Sequence, residues 1–222
     1  MNYKGIMAKA SEKIMSMAEL MEDDTFKKIP KDKIGYYIDE PIKIGRKAAE
    51  EIRNKYKDLS IEEICHELKV KIEIEKDEYD FELVKFRGKY NEDKEKIIMY
   101  PRSIKKMESA YKKLNIKFLN YDFLFEILLT HELFHHIEAV ELGRISDKLE
   151  KVDAFKFMHI KKKFPIIKTS DIGANIFTKD MLNLSFHPKV LNYLYLLGTG
   201  YTDEENIINY FNELNRNFID GN

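Results

Sequence analysis

What this chain lacks narrows it first. Cys65 is the single cysteine, so no internal disulfide can form, and a reducing compartment is the natural home. No apolar run approaches the roughly 18 residues that a membrane-crossing helix needs. Residues 1–9 place Lys4 and Lys9 where a secretion signal would need unbroken apolar sequence. A cytoplasmic protein with no membrane partner is the expectation. Net charge is scarce as well: 38 basic and 39 acidic residues nearly cancel and are interspersed, which leaves no basic face for direct nucleic-acid binding. Short runs such as Lys161-Lys162-Lys163 read as solvated surface. There is no internal repeat and no low-complexity segment.

What is present gathers around one stretch. Tyr121 to Leu142 is the most apolar run, and inside it lies Thr130-His131-Glu132-Leu133-Phe134-His135, an H-E-x-x-H pattern. On a helix, residues four apart sit about 40° apart on one face, so His131 and His135 present two imidazoles to a single ion. A catalytic zinc takes three protein ligands and keeps a position for water. Glu132, in the turn between the histidines, is placed to act on that water as a general base and to pass its proton to a leaving amine. The plainer reading is a pair of core histidines satisfied by hydrogen bonds. Charged and titratable groups stay out of a run like Phe123-Leu124-Phe125-Glu126-Ile127-Leu128-Leu129 unless paired or ligating, and that favours the metal.

At 222 residues the chain fits one main domain with a possible appendage. Ile6, Met7, Ala10, Ile14, Met17, Ala18 and Met21 form a helical stripe that packs on its own domain or docks a partner, the former being preferred. Pro30, Gly35 and Pro41 break the pattern and read as a connection, giving residues 1–41 as an N-terminal helical appendage and 42–222 as the main domain. A helix over residues 42–56 and another opening at Ser60, with Glu63 three positions on, come next. His66-Glu67 is not a second zinc motif, because Val70 stands where a histidine is needed. Val70 to Glu75, Phe81 to Tyr90 and Lys96 to Tyr100 read as strands of a small, mainly antiparallel sheet, the last two joined across residues 91–94. Residues 102–114 form a helix, the H-E-x-x-H helix starts at Asn120 or Asp122 and closes at Gly143, and residues 147–159 are ambiguous. Helices over residues 170–184, after Pro188 and over residues 203–218 complete an α+β, mostly helical fold.

Two histidines need a third ligand, and Glu138, Glu141, Glu150, Asp153, His159 and Asp171 are the candidates downstream. Glu138 would stack three donors along one helix axis, so it reads as an ion-paired residue that supports a ligand from behind. A carboxylate on a second, crossing helix approaches the ion from a better direction. The two stretches Leu129 to His135 and Ser170-Asp171-Ile172-Gly173-Ala174-Asn175-Ile176-Phe177 together resemble the ImmA/IrrE family of bacterial zinc metallopeptidases, over about residues 42–200. That family's second helix reads roughly E-x-x-A-N-x-F-A-x-x-L-L, and the leading acid is the third zinc ligand.

The resemblance implies Asp171 as that ligand, with Asn175 in a supporting position, and a zinc-dependent endopeptidase as the activity. Its implied substrate is a specific protein, such as a helix-turn-helix repressor of a phage, mobile element or stress response. A regulatory or toxin–antitoxin partner-binding protein that keeps the fold without cutting is the alternative. Aspartate in place of glutamate shortens the ligand arm by a methylene, so the two helices must come closer or the metal is held more weakly. A peptide substrate is expected to add to the sheet edge near Ile97 to Tyr100; His136 and Tyr100 are candidate oxyanion donors, with a surface position or a contact behind a ligand the preferred reading of His136.

Overall fold

A computed structural model describes residues 3–75, 87–157 and 160–219, with the side chains of residues 154–161 outside that description. Helices α1 (Tyr3–Lys9) and α2 (Glu12–Leu20) open the chain. The stripe expected as one helix is two, because Ser11 leaves the helical path and its hydroxyl caps α2 by accepting the Ile14 N–H at 3.3 Å. Ile6, Met15, Met17 and Leu20 have no exposed surface, and they join the same apolar cluster as the rest of the chain.

After two short 3-10 turns, α3 (Ile34–Lys55) runs unbroken through Pro41. The connection expected up to residue 41 therefore ends at Lys33. Proline forfeits one N–H bond inside a helix, but Tyr37, Ile38, Ile42, Ala48, Ala49 and Ile52 keep this one against the core.

Helix α4 (Ile61–Glu67) begins with the expected reciprocal cap, the Ser60 N–H donating to Glu63 Oε2 at 2.7 Å and the Glu63 N–H to Ser60 Oγ at 3.3 Å. Strands β1 (Lys71–Ile74), β2 (Gly88–Asn91) and β3 (Lys96–Met99) form a sheet of order β1-β3-β2. The β2–β3 pair is the expected hairpin, but β1 runs parallel to β3, so the sheet is mixed and not mainly antiparallel. The run Ile97-Ile98-Met99 is buried throughout and takes the middle, whereas β1 is mostly exposed and lies at an edge. The expected strand from Phe81 lies outside the described residues as far as residue 86.

Helix α5 (Pro101–Lys113) leads to α6 (Tyr121–Ile137), whose first turn is capped by the Asn120 side chain accepting the Phe123 N–H at 3.0 Å. A wider turn, Glu138–Leu142, follows before Gly143, and widened turns of this kind recur at functional sites. The short helix α7 (Ile145–Lys148) precedes a hairpin of β4 (Val152–Phe157) and β5 (Ile160–Phe164), so the ambiguous region is helix at residues 147–148 and strand at residues 152–157, its last two residues lying outside the described ones. Helices α8 (Lys168–Met181), α9 (Val190–Thr199) and α10 (Glu204–Leu214) complete an α+β fold dominated by helix.

Helix α8 lies between α3 and α6. On the α6 side, Phe134 and Phe177 pack with ring centroids 5.3 Å apart and no exposed surface. Burial of each ring contributes roughly 1.5–3 kcal/mol. On the α3 side, a Cβ added to Gly45 would lie 2.3 Å from the Gly173 carbonyl oxygen, and on the opposite side one added to Gly173 would lie 2.5 Å from Ile145 Cδ1 and 3.1 Å from Phe134 Cζ of α6. Absent side chains thus let three helices approach closely, two residues from Asp171. No helix of the described residues is long and apolar enough to cross a membrane.

Candidate metal centre

The apolar positions of α6 turn inward and its two histidines meet α8. His131 Nε2 and His135 Nε2 lie 3.3 Å apart, and Asp171 Oδ1 lies 3.7 Å from the first and 3.6 Å from the second. A point equidistant from three atoms so spaced is about 2 Å from each, the bond length zinc requires of nitrogen and carboxylate oxygen. Among the described residues these three form the cluster of histidine and acidic side chains able to hold an ion. The donor set of two imidazoles and a carboxylate suits zinc. Gly173, two residues beyond Asp171, lets α8 lie close against Phe134 of α6, which suits the shorter arm of aspartate.

Glu138 sits behind His135. Its Oε2 is 3.4 Å from His135 Nδ1, and its Oε1 accepts the Ser170 hydroxyl at 2.6 Å and the Ile145 N–H at 2.7 Å. A carboxylate there favours the tautomer with its proton on Nδ1, which leaves the Nε2 lone pair aimed at the ion. Burial works against a charge on His135. Hydrogen bonds to Asp171 and Glu138, with the charge of Glu132, overcome it and push the His135 pKa up to about 10. Burial likewise raises Asp171, but its contacts with His131, His135 and Lys168 hold its carboxyl well below the usual range. Without a metal, this point attracts positive charge.

Glu132 turns toward the sheet. Its Oε2 accepts the Tyr90 N–H at 2.7 Å, and a Cβ on Gly88 would come within 3.0 Å of its Cγ, so β2 lies directly over the carboxylate. Gly88, His131, Glu132, Lys168, Asp171 and Asn175 all line one cleft of about 330 Å³. Asn175, one turn beyond Asp171, is 5% exposed and lines the same cleft.

The other candidates fall elsewhere. Glu141 is 4.0 Å from Lys55, Glu150 pairs with Lys33, and neither Glu150 nor Asp153 joins the cluster; His159 lies outside the described residues. His136, expected near the surface or as an oxyanion donor, is buried with its ring between Tyr90 Oη at 3.1 Å and the Leu68 carbonyl at 3.3 Å. One residue along a helix turns the side chain by about 100°, which takes it off the face of His135. Tyr100 is not among the residues lining the cleft. The peptide-accepting edge also moves: β3 is the central strand, and the edge beside the site belongs to β2.

One group was not legible in the sequence. Lys168 Nζ lies 2.9 Å from Asp171 Oδ2 and 2.9 Å from Glu19 Oε1, while Lys189 Nζ lies 2.7 Å from both Glu19 Oε2 and Glu22 Oε1. Glu19 and Lys189 are each 4% exposed. Comparison with family models, with curated proteins and with solved structures returns no match, so the likeness to ImmA/IrrE proteins rests on the two motifs alone.

Proposed function

We propose that the protein is a zinc-dependent endopeptidase acting on a specific protein substrate, with His131, His135 and Asp171 as metal ligands and Glu132 as general base. The observation that carries this reading is the convergence of three donor atoms on one point beside a carboxylate that opens into the same cleft. A zinc ion bound there would supply Lewis acidity, polarising a carbonyl and acidifying water.

The chain's own residues do the rest. The Tyr90 N–H fixes one oxygen of Glu132, so the other is free to take the proton of an attacking water and deliver it to the departing amine. Tyr100 donates its N–H to the Arg87 carbonyl on the β3 side, and Tyr90 donates outward. Alternation along β2 therefore turns the Gly88 backbone toward the cleft, where an extended peptide can pair with it. Gly88 leaves room for that peptide to approach the base.

The test uses Glu132→Gln, which keeps the Tyr90 hydrogen bond and removes the base. Zinc-loaded protein is incubated with a proteome-derived peptide library, and new termini are read by mass spectrometry. The parent is expected to cut at a defined sequence and the variant to bind zinc without cutting. Equal cutting by both, or zinc binding with no cutting by the parent on peptides or on a helix-turn-helix repressor, would overturn the endopeptidase reading and leave the partner-binding alternative.

A further inference from the structure

We propose that Lys168 and Glu19 are positioning residues for the third metal ligand, so that α2, from the N-terminal segment, is a structural part of the metal centre. The inference rests on the metal centre proposed above and deepens it.

The two oxygens of Asp171 have separate partners. Oδ1 faces the histidines at 3.6 and 3.7 Å, and Oδ2 meets Lys168 Nζ at 2.9 Å. Aspartate has two side-chain torsions, so holding one oxygen places the other. Lys168 would be a poor anchor if it were loose. It is instead gripped at both ends by one segment: Glu19 holds the ammonium at 2.9 Å, and Asp23 Oδ2 accepts the Lys168 backbone N–H at 3.0 Å. The same contacts fasten the first turn of α8, from which Asp171 projects.

Charge balance explains the remaining members. A lysine this close to a divalent cation repels it unless neutralised. Glu19 and Glu22 carry two negative charges and Lys168 and Lys189 two positive ones, so the four cancel and the Asp171 charge remains for the ion. Fold stability alone does not account for the arrangement, because buried ion pairs are often matched or bettered by apolar side chains of similar volume. Carboxylate ligands, by contrast, depend on outer hydrogen bonds for orientation, and loss of such a partner typically weakens metal binding by roughly 10–100-fold. Lys168 is committed to two carboxylates, which fits a positioning role better than contact with substrate.

The experiment measures Co2+ affinity by competition with a chromophoric chelator, together with the visible spectrum of the bound ion. Lys168→Met and Glu19→Gln are expected to bind Co2+ about 10–100-fold more weakly and with an altered spectrum. Lys168→Arg, which still reaches both carboxylates, should recover the affinity to within about threefold. Ile6→Ala, a fully buried α1 residue away from this chain of charges, controls for loss of stability; it should melt earlier and keep its affinity and spectrum. Should Lys168→Met fail to fold, the isosteric Glu19→Gln decides. Co2+ affinities within twofold of the parent in the folded variants, or an equal loss in Ile6→Ala, would overturn the inference and leave the metal centre standing. If His135→Ala binds Co2+ as well as the parent, the metal centre fails, and the inference with it.

Discussion

Replacing Gly45 by alanine should damage the metal centre from a distance. The new Cβ would lie 2.3 Å from the Gly173 carbonyl oxygen and 3.1 Å from the Gly173 Cα. Ordinary carbon–oxygen contact is about 3.3 Å, so α3 and α8 must separate by about 1 Å. The obstructing atoms are backbone and cannot swing aside. Overpacking of this kind costs about 1–3 kcal/mol, and the gain from putting alanine in place of glycine within a helix offsets about 1 kcal/mol of it. A net loss of up to about 2 kcal/mol lowers the melting temperature by up to about 8 °C in a chain of this size.

The displacement also reaches Asp171, two residues from the crossing. Donor positions must hold to about 0.2 Å for a good site, so zinc affinity is expected to fall at least about tenfold. Circular dichroism melts with and without zinc, and competition with a chelator, measure both effects. Gly35→Ala is the internal control: it lies on the same helix, its added Cβ meets nothing within 4 Å, and it should stabilise slightly. A Gly45→Ala protein as stable as Gly35→Ala, with unchanged zinc affinity, would refute the close crossing.

Two further outcomes follow from the site and its surroundings. Exhaustive chelation should lower the melting temperature, because zinc at 1,000 times its dissociation constant stabilises the folded state by about 4 kcal/mol; His135→Ala should show no such shift. Burial pushes the pKa of His187, 2% exposed, down to about 3 from 6.5. Because the folded value is the lower one, its contribution is complete above about pH 6.5 and is lost as pH falls toward 3, at about 1.4 kcal/mol per pH unit. Urea titrations of the metal-free protein at pH 7 and pH 5 should therefore show a steeper loss in the parent than in His187→Gln, and parallel losses would count against a neutral, buried imidazole.

Legibility followed the range of the interactions. The pairing of His131 with His135 is a property of one helix, readable from a spacing of four. Asp171 could be reached only through a second motif, because nothing local to it marks a ligand. Glu19 and Lys168 looked like two of many surface charges; their meeting is separated by 149 residues of chain, and no periodicity reports it. His136 was misplaced for the opposite reason, since adjacency to His135 says little about the face on which a side chain lies. Pro41 was read as punctuation, but the buried apolar face of α3 outweighed one missing hydrogen bond. The hairpin of β2 and β3 was visible in its turn residues, whereas the parallel partner β1 is set by which strand buries both faces.

The proposed positioning of Asp171 by residues so far upstream bears on how the protein comes into being. His131 and His135 are synthesised 40 and 36 positions before Asp171, a gap that translation at roughly 5–20 residues per second spans in about 2–8 s. During that interval the emerging chain carries two imidazoles and no third donor. Even once α8 is made, its first turn has to find Glu19 and Asp23 by closing a loop of some 149 residues, the slow kind of contact in folding. A metal centre assembled as proposed would thus be withheld from the nascent and half-folded chain until segments about 149 residues apart have met.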